Sequence, residues 1–354
     1  MKIGIITHHY VKNYGAYLQL YALMSKIKEF DNEIDIEVID KIILKHYLVN
    51  IYRRLKLPKN KAEKKYYYEK IKQLKTLTKY ENSIKKSGIC LNNSFSKKYD
   101  KIIIGSDEVW NFLDYSYNPI KFGYGLKDCK VYTYAASAGE SKITNTIPNE
   151  VKQGILNLEM IGVRDDNTKQ IATSISNKKV VSVLDPTLIY RFDKEMKNIK
   201  FADKYGDYIL LYGCKFDENQ LNIIKEYAKN KKYKILGAGE HKDWYDDITV
   251  NLTPYEWVDL FRKAKLVITG TFHGLMFSIK YNKNFICMPV YDNRITKTRT
   301  ILEELKIIDR LVIGQDYNKL LKKLEEDVNY VNVNALLNKR IEESEKYLRE
   351  VLDN

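Results

Sequence analysis

Cysteine is scarce and scattered. Cys90, Cys129, Cys214 and Cys287 form no CxxC pair and have no histidine close by, so neither a disulfide framework nor a zinc site is expected and all four read as buried thiols. Glycine and proline are also few, 16 and 6 in 354 residues, which excludes a low-complexity or disordered chain. No apolar run approaches the ~20 residues a membrane helix needs. The opening Met1-Lys2-Ile3-Gly4-Ile5-Ile6-Thr7-His8-His9 has too short an apolar run for a signal peptide and no small-residue cleavage site. These absences lead to the expectation of a soluble, cytoplasmic protein.

What is present fits a globular chain of about two domains at roughly 150 residues each: 44 % of residues are hydrophobic and 30 % charged. The formal charge is +14, and it is not spread evenly. Residues 41–101 hold 18 Lys and Arg against 4 Asp and Glu, while the rest of the chain carries 42 of each sign. The whole basic character therefore belongs to one segment, which reads as helical from Lys41 to about Lys86 and has Tyr47, Tyr52, Tyr66, Tyr67, Tyr68 and Tyr80 among its lysines.

Short β-branched runs followed by amphipathic stretches recur along the chain. Lys2 to Thr7, Ile36 to Asp40, Lys101 to Gly105, Val131 to Ala136, Met160 to Val163 and Val180 to Leu184 read as strands, with a helix from Asn13 to Phe30. This is the pattern of a parallel sheet covered on both faces. After a polar stretch from Arg191 to Tyr205 a second series begins, with strands at Tyr208 to Gly213, Tyr233 to Gly237, Leu266 to Thr269 and Phe285 to Met288. Helices are expected near Asp217 to Asn230, Pro254 to Lys263 and His273 to Tyr281. The prediction is an α/β protein of two tandem doubly wound, Rossmann-like domains: residues 1–188 with a basic helical insertion at 41–100, a linker at 189–206, and residues 207–333. A C-terminal helix over 334–354 is expected to pack back on the first domain.

In such sheets ligands sit at the carboxyl ends of the strands, so the loops there carry the candidate residues. Asn13, Tyr14 and Gly15 open a helix after the first strand; Asn13 reads either as a plain N-cap or as part of an anion contact. Gly105-Ser106-Asp107-Glu108-Val109-Trp110-Asn111 follows the third strand, where Ser106 and Asp107 can cap a turn, or Asp107, Glu108 and Trp110 can form a sugar platform. Arg164 ends another strand, with a planar fork for carboxylate or phosphate, or for an ion pair with Asp165 or Asp166. Thr269-Gly270-Thr271-Phe272-His273-Gly274 is the sharpest loop: its helix N-terminus offers N–H groups to an anion and its imidazole can transfer a proton. His8, His9, His46 and His241 make no comparable case.

Together these loops resemble the polysaccharide pyruvyl transferase family. The matching pieces are Asn13 to Leu23, Gly105 to Asn111, Tyr134 to Gly139, Val163 to Asp165, Leu184 to Leu188 and Thr271 to Ile279, in the family's order over roughly residues 1–310. The resemblance implies a GT-B-like architecture and transfer of a pyruvyl group from phosphoenolpyruvate to a sugar as a ketal, with release of phosphate. It implies His273 as proton donor and Arg164 as donor anchor. The donor would also meet Thr271, Phe272 and Gly274, and a cation at Lys297 or, in another register, Arg294 or Arg299. Asp107 would handle the acceptor hydroxyl, with Asn13, Tyr14, Gly15, Ser106, Glu108 and Trp110 lining the acceptor. Glu108 stands where Gln is usual and Thr271 where Ser is usual. No metal and no cofactor beyond the co-substrate is expected. The acceptor is expected in surface-polysaccharide synthesis, such as capsule or exopolysaccharide, either free or linked to a polyprenyl diphosphate.

Two other readings compete. A nucleotide-sugar glycosyltransferase of the same fold would use Gly237-Ala238-Gly239-Glu240 as diphosphate cradle and ribose ligand. A nucleic-acid-binding protein would use the lysine and tyrosine segment, but those aromatics sit on an expected helix and not on a sheet platform, so no nucleic acid is expected. Residues 41–101 are instead expected to dock peripherally on an anionic inner membrane face, or on a diphosphate-linked glycan carrier there, or else to be a solvated helical pair.

Overall fold

We describe the protein from a computed structural model covering residues 1–55, 61–88, 90 and 93–354. Its first sheet contains β1 (Lys2–Ile6), β2 (Asp35–Val38), β3 (Lys101–Asp107), β4 (Lys130–Ala136), β5 (Met160–Val163) and β6 (Val180–Ser182), in the order β2-β1-β3-β4-β5-β6. Every pairing is parallel. The strand Lys-Ile-Gly-Ile-Ile shows why: all but its first residue are buried, as both faces of a parallel sheet demand. The second sheet contains β7 (Tyr208–Tyr212), β8 (Lys234–Gly237), β9 (Leu266–Thr269) and β10 (Asn284–Cys287), again all parallel, in the order β10-β9-β7-β8.

The chain forms two compact units. One comprises Met1–Arg54, Lys79–Arg191 and Asn338–Asn354; the other comprises Leu55–Thr78 and Phe192–Leu337. In the first unit, the end of the helix Tyr330–Asp353 lies on the sheet. Tyr347 donates its hydroxyl hydrogen to the Thr133 carbonyl at 2.8 Å, and the Leu184 N–H donates to Ser344 Oγ at 2.9 Å. Gly162 permits that approach, since a Cβ there would lie 2.6 Å from the Tyr347 ring.

The basic insertion enters between β2 and β3 as the helices Leu44–Leu55 and Lys61–Ser83. Part of the segment expected to be helical from Lys41 to about Lys86, residues 56–60, lies outside the described residues. The second helix is held in the second unit by Gln73, which donates to the carbonyls of Gly239 and Val250 at 2.9 and 2.8 Å, and by Thr76 on Asn251 Oδ1 at 2.8 Å. Leu55–Thr78 thus counts with the second unit, where the sequence assigns all of 41–100 to the first domain. Among the described residues no helix is long and apolar enough to cross a membrane.

Candidate active site

Each sheet reverses its direction of growth once. In the first, β2 lies on one side of β1 and β3 on the other, so the carboxyl ends of β1 and β3 bound a crevice where ligands bind in open α/β sheets. Asp107 closes β3 with φ of 88°, in the left-handed region, which turns its carboxylate out of the strand direction. Its Oδ1 accepts from Arg164 at 3.0 Å, and the other arm of that guanidinium donates to Asp185 Oδ2 at 2.8 Å. Asp185 and Asp165 also cap the short helices that follow them, accepting from Thr187 N at 3.0 Å and from Thr168 N at 2.8 Å.

The Arg164 side chain is only 2 % exposed. Burial works against its charge, yet Asp107, Asp185, Glu108 and Asp165 outweigh burial and push its pKa up. The partners expected from adjacency, Asp165 and Asp166, are not the ones its fork engages. The guanidinium that the resemblance implies as donor anchor is bracketed by these carboxylates. Its geometry holds Asp107, whose side chain keeps 17 % of its surface open.

Other acceptor-side expectations need correction. Trp110 offers no face to a sugar: it is fully buried, its indole stacks on Phe122 with centroids 5.6 Å apart, and its N–H donates to the Lys121 carbonyl at 2.8 Å. Ser106 is fully buried too, its hydroxyl donating to Gln19 Oε1 while its carbonyl accepts from Thr7 Oγ1 at 2.8 Å. Tyr14 and Gly15 are buried in the first turn of the helix Tyr14–Phe30. Asn13 is that helix's N-cap, accepting from the N–H groups of Gly15 and Ala16 at 2.8 and 3.3 Å. Glu108 is half-buried.

The structure adds a cluster that the sequence reading passed over. His8, just beyond β1, is buried, its Nε2–H donating to the Glu108 carbonyl at 3.2 Å and its Nδ1 accepting from Lys121 Nζ at 3.3 Å. Lys121 is itself buried and also donates to the Ser116 carbonyl at 2.8 Å. Burial first, then the Lys121 charge, drives the His8 pKa down to about 3; burial lowers Lys121 to about 7 against the opposing pull of Asp114 and Asp107. His46, from the insertion, reaches the same place, its ring 5.3 Å from that of His8 and its Nδ1 3.2 Å from the Tyr10 hydroxyl. His9 pairs with Asp40 at 2.9 Å. The positional rule that singled out the other loops points to His8 and His9 as well, but no spacing could bring in His46. Among the described residues no group of three or more His, Cys, Asp and Glu is arranged to hold a metal.

A pH test follows from His8. Its folded pKa lies below the unfolded 6.5, so the unfolded chain binds the extra proton between pH 6.5 and about 3 and stability falls as pH drops through that window. His8→Gln keeps a side-chain donor and removes the titration. Denaturant unfolding at pH 7 and pH 4 should show wild type losing a few kcal/mol more than the variant. Equal losses would mean that His8 is already charged in the fold.

In the second sheet the reversal falls between β7 and β9, and the candidate loop leaves β9 there. Thr271 caps the helix Phe272–Lys280, its Oγ1 accepting from Gly274 N at 3.1 Å and lying 3.1 Å from Thr269 Oγ1. The backbones are so close that a Cβ on Gly270 would meet the carbonyls of Gly213 and Met288 at 2.6 and 2.7 Å. Phe272 and His273 occupy the first helical turn, partly exposed, with their rings edge to face at 5.6 Å. Of the cations considered, Arg294 reaches this loop, donating to the Gly270 carbonyl at 3.2 Å. Lys297 is buried one turn further along the helix Asp292–Glu304, and Arg299 is exposed beside Glu303 at 3.6 Å.

The loop after β8 is closed on itself. Glu240 accepts from Gly213 N at 3.1 Å and from the Tyr245 hydroxyl at 3.2 Å, and burial raises its pKa. A Cβ on Gly237 would lie 2.3 Å from the Glu240 carbonyl oxygen.

Compared with known proteins, residues 13–293 match the family model described as polysaccharide pyruvyl transferase. Among solved structures the chain is similar to the UDP-GlcNAc 2-epimerase of Methanocaldococcus jannaschii, with TM-score 0.56, 15 % identity and full coverage of both chains. UDP-N-acetylglucosamine 2-epimerase from Rickettsia bellii gives 0.55 at 12 % identity, covering 100 % of this chain and 96 % of that one. UGT89C1 of Arabidopsis thaliana gives 0.55 at 10 % identity, covering 99 % of each. At these identities the likeness is one of fold, and the fold is GT-B. No curated protein matches the chain.

Proposed function

The chain belongs to the polysaccharide pyruvyl transferase family, and on that premise we propose that it moves the pyruvyl group of phosphoenolpyruvate onto a sugar of a surface polysaccharide or its lipid-linked precursor, forming a ketal and releasing phosphate. The observation that carries this reading is the family match over residues 13–293, which takes in both the Asp107 site and the Thr271 to Gly274 loop.

In the proposed reaction His273 protonates the methylene carbon of the enol phosphate, which makes the adjacent carbon an oxocarbenium-like electrophile. A sugar hydroxyl adds there and gives its proton to Asp107, which Arg164 orients by its hydrogen bond. A second hydroxyl then attacks the same carbon. The bond from that carbon to the phosphate oxygen breaks, its electron pair leaves with phosphate, and the hydroxyl proton leaves with it. The N–H groups at the start of the helix Phe272–Lys280 suit the donor's phosphate or carboxylate, and Arg294 or Lys297 supplies positive charge from the helix Asp292–Glu304. Residues 41–101 bring the enzyme to an anionic membrane face.

The nucleotide-sugar alternative has less support, because Glu240 spends both carboxylate oxygens on its own chain and Gln73 takes the Gly239 carbonyl. Incubation with phosphoenolpyruvate and a panel of sugar acceptors tests the proposal: phosphate release together with the mass gain of a ketal-linked pyruvate is expected. Thermal stabilisation by nucleotide sugars and none by phosphoenolpyruvate would overturn it.

A further inference from the structure

The helix Leu44–Leu55 carries an apolar stripe that faces outward, beside half-buried Tyr47, Val49 and Ile51. Leu44, Leu48 and Tyr52 recur at the i, i+4, i+8 spacing that puts side chains on one face, and a surface helix ordinarily buries such a face. Here they are 66 %, 54 % and 72 % exposed, while the polar His46 of the same helix turns inward to Tyr10. Ile42 extends the apolar strip at the helix start, and Lys45 sits over the ring of the exposed Tyr115 at 4.8 Å. Residues 41–62 contain seven Lys and Arg and no Asp or Glu. An outward apolar stripe is a docking surface, and its surroundings select what it docks on.

We propose that this helix is an interfacial anchor that lies in the headgroup plane of an anionic bilayer, with Leu44, Leu48 and Tyr52 dipping toward the acyl chains and the neighbouring basic residues on lipid phosphates. This rests on the reading of residues 41–101 as a membrane contact and narrows it to one helix face. Leucines with flanking lysines and arginines are the composition of such helices, and tyrosine favours the interface. Charge argues against the other occupant the fold could offer. A second copy using the same face would bring identical basic segments together about a twofold axis, with no acidic residue in 41–62 to offset them.

The test uses the full chain and sedimentation with vesicles of phosphatidylcholine, with or without phosphatidylglycerol. Wild type should bind the phosphatidylglycerol vesicles, less at high salt, and Leu48→Glu/Tyr52→Glu should bind at least about tenfold more weakly. Both side chains are exposed, so circular dichroism and thermal unfolding should not change, nor should turnover with a soluble acceptor. Binding that survives this double change but is lost in Lys75→Gln/Lys79→Gln would overturn the helix assignment and leave the broader membrane contact standing. No binding to either vesicle would overturn both. A wild-type dimer that Leu48→Glu/Tyr52→Glu converts to monomer would give the face to a second copy and overturn the anchor.

Discussion

His273→Ala is expected to lower kcat for ketal formation by about 10²–10⁴-fold, the range removed when a positioned general acid is lost. The methylene carbon of an enol phosphate is a poor base, and no later step can begin until it carries a proton. In deuterated water the wild-type product should therefore carry one solvent deuterium in its new methyl group. The variant should lose product and incorporation together. A structural role for His273 would give a different pattern, a loss of stability alongside the loss of rate, whereas the cap of this helix is Thr271, whose Oγ1 accepts from Gly274 N. Thr271→Val should cost about 1 kcal/mol of stability as a lost N-cap. His273→Ala should leave stability nearly unchanged, because His273 is partly exposed in the first turn. Near wild-type turnover in His273→Ala would remove it from the proton transfer altogether.

The loops on which this proposed chemistry rests were placed from sequence because strand ends alone mark their positions. β5 and β9 fall on the apolar runs Met160 to Val163, between Glu159 and Arg164, and Leu266 to Thr269, between Lys265 and Gly270, and the residues just past them are the candidates. Long-range partners were not legible. Arg164 stands next to Asp165 in sequence, yet it meets Asp107 and Asp185, which lie 57 and 21 residues away. Trp110 beside two acids reads as a sugar platform, and nothing local tells an indole stacked on Phe122 from one open to solvent. The same limit hid the outward stripe, because the spacing of Leu44, Leu48 and Tyr52 marks a shared face without saying that the face looks outward.

Arg164→Ala should be the most damaging single change to stability, at about 3–5 kcal/mol, because it leaves two carboxylates facing each other in a buried site without their cation. Asp185 has no exposed side-chain surface whereas Asp107 keeps 17 %. Asp185→Asn should therefore cost more stability than Asp107→Asn, whose partner charge water can partly satisfy. Activity should run in the opposite order. Asp107→Asn removes the acceptor of the hydroxyl proton and should lower kcat by about 10²-fold or more with the fold intact. Arg164→Lys separates holding Asp107 from binding the donor. An ammonium is a point charge that cannot fork between two carboxylates, so if Arg164 holds Asp107, kcat falls and the KM for phosphoenolpyruvate stays near wild type. A raised KM with kcat preserved would instead make the guanidinium a donor ligand. Denaturant unfolding and steady-state kinetics on these four variants decide the assignment, because a donor ligand and a positioning residue cannot produce the same pair of results.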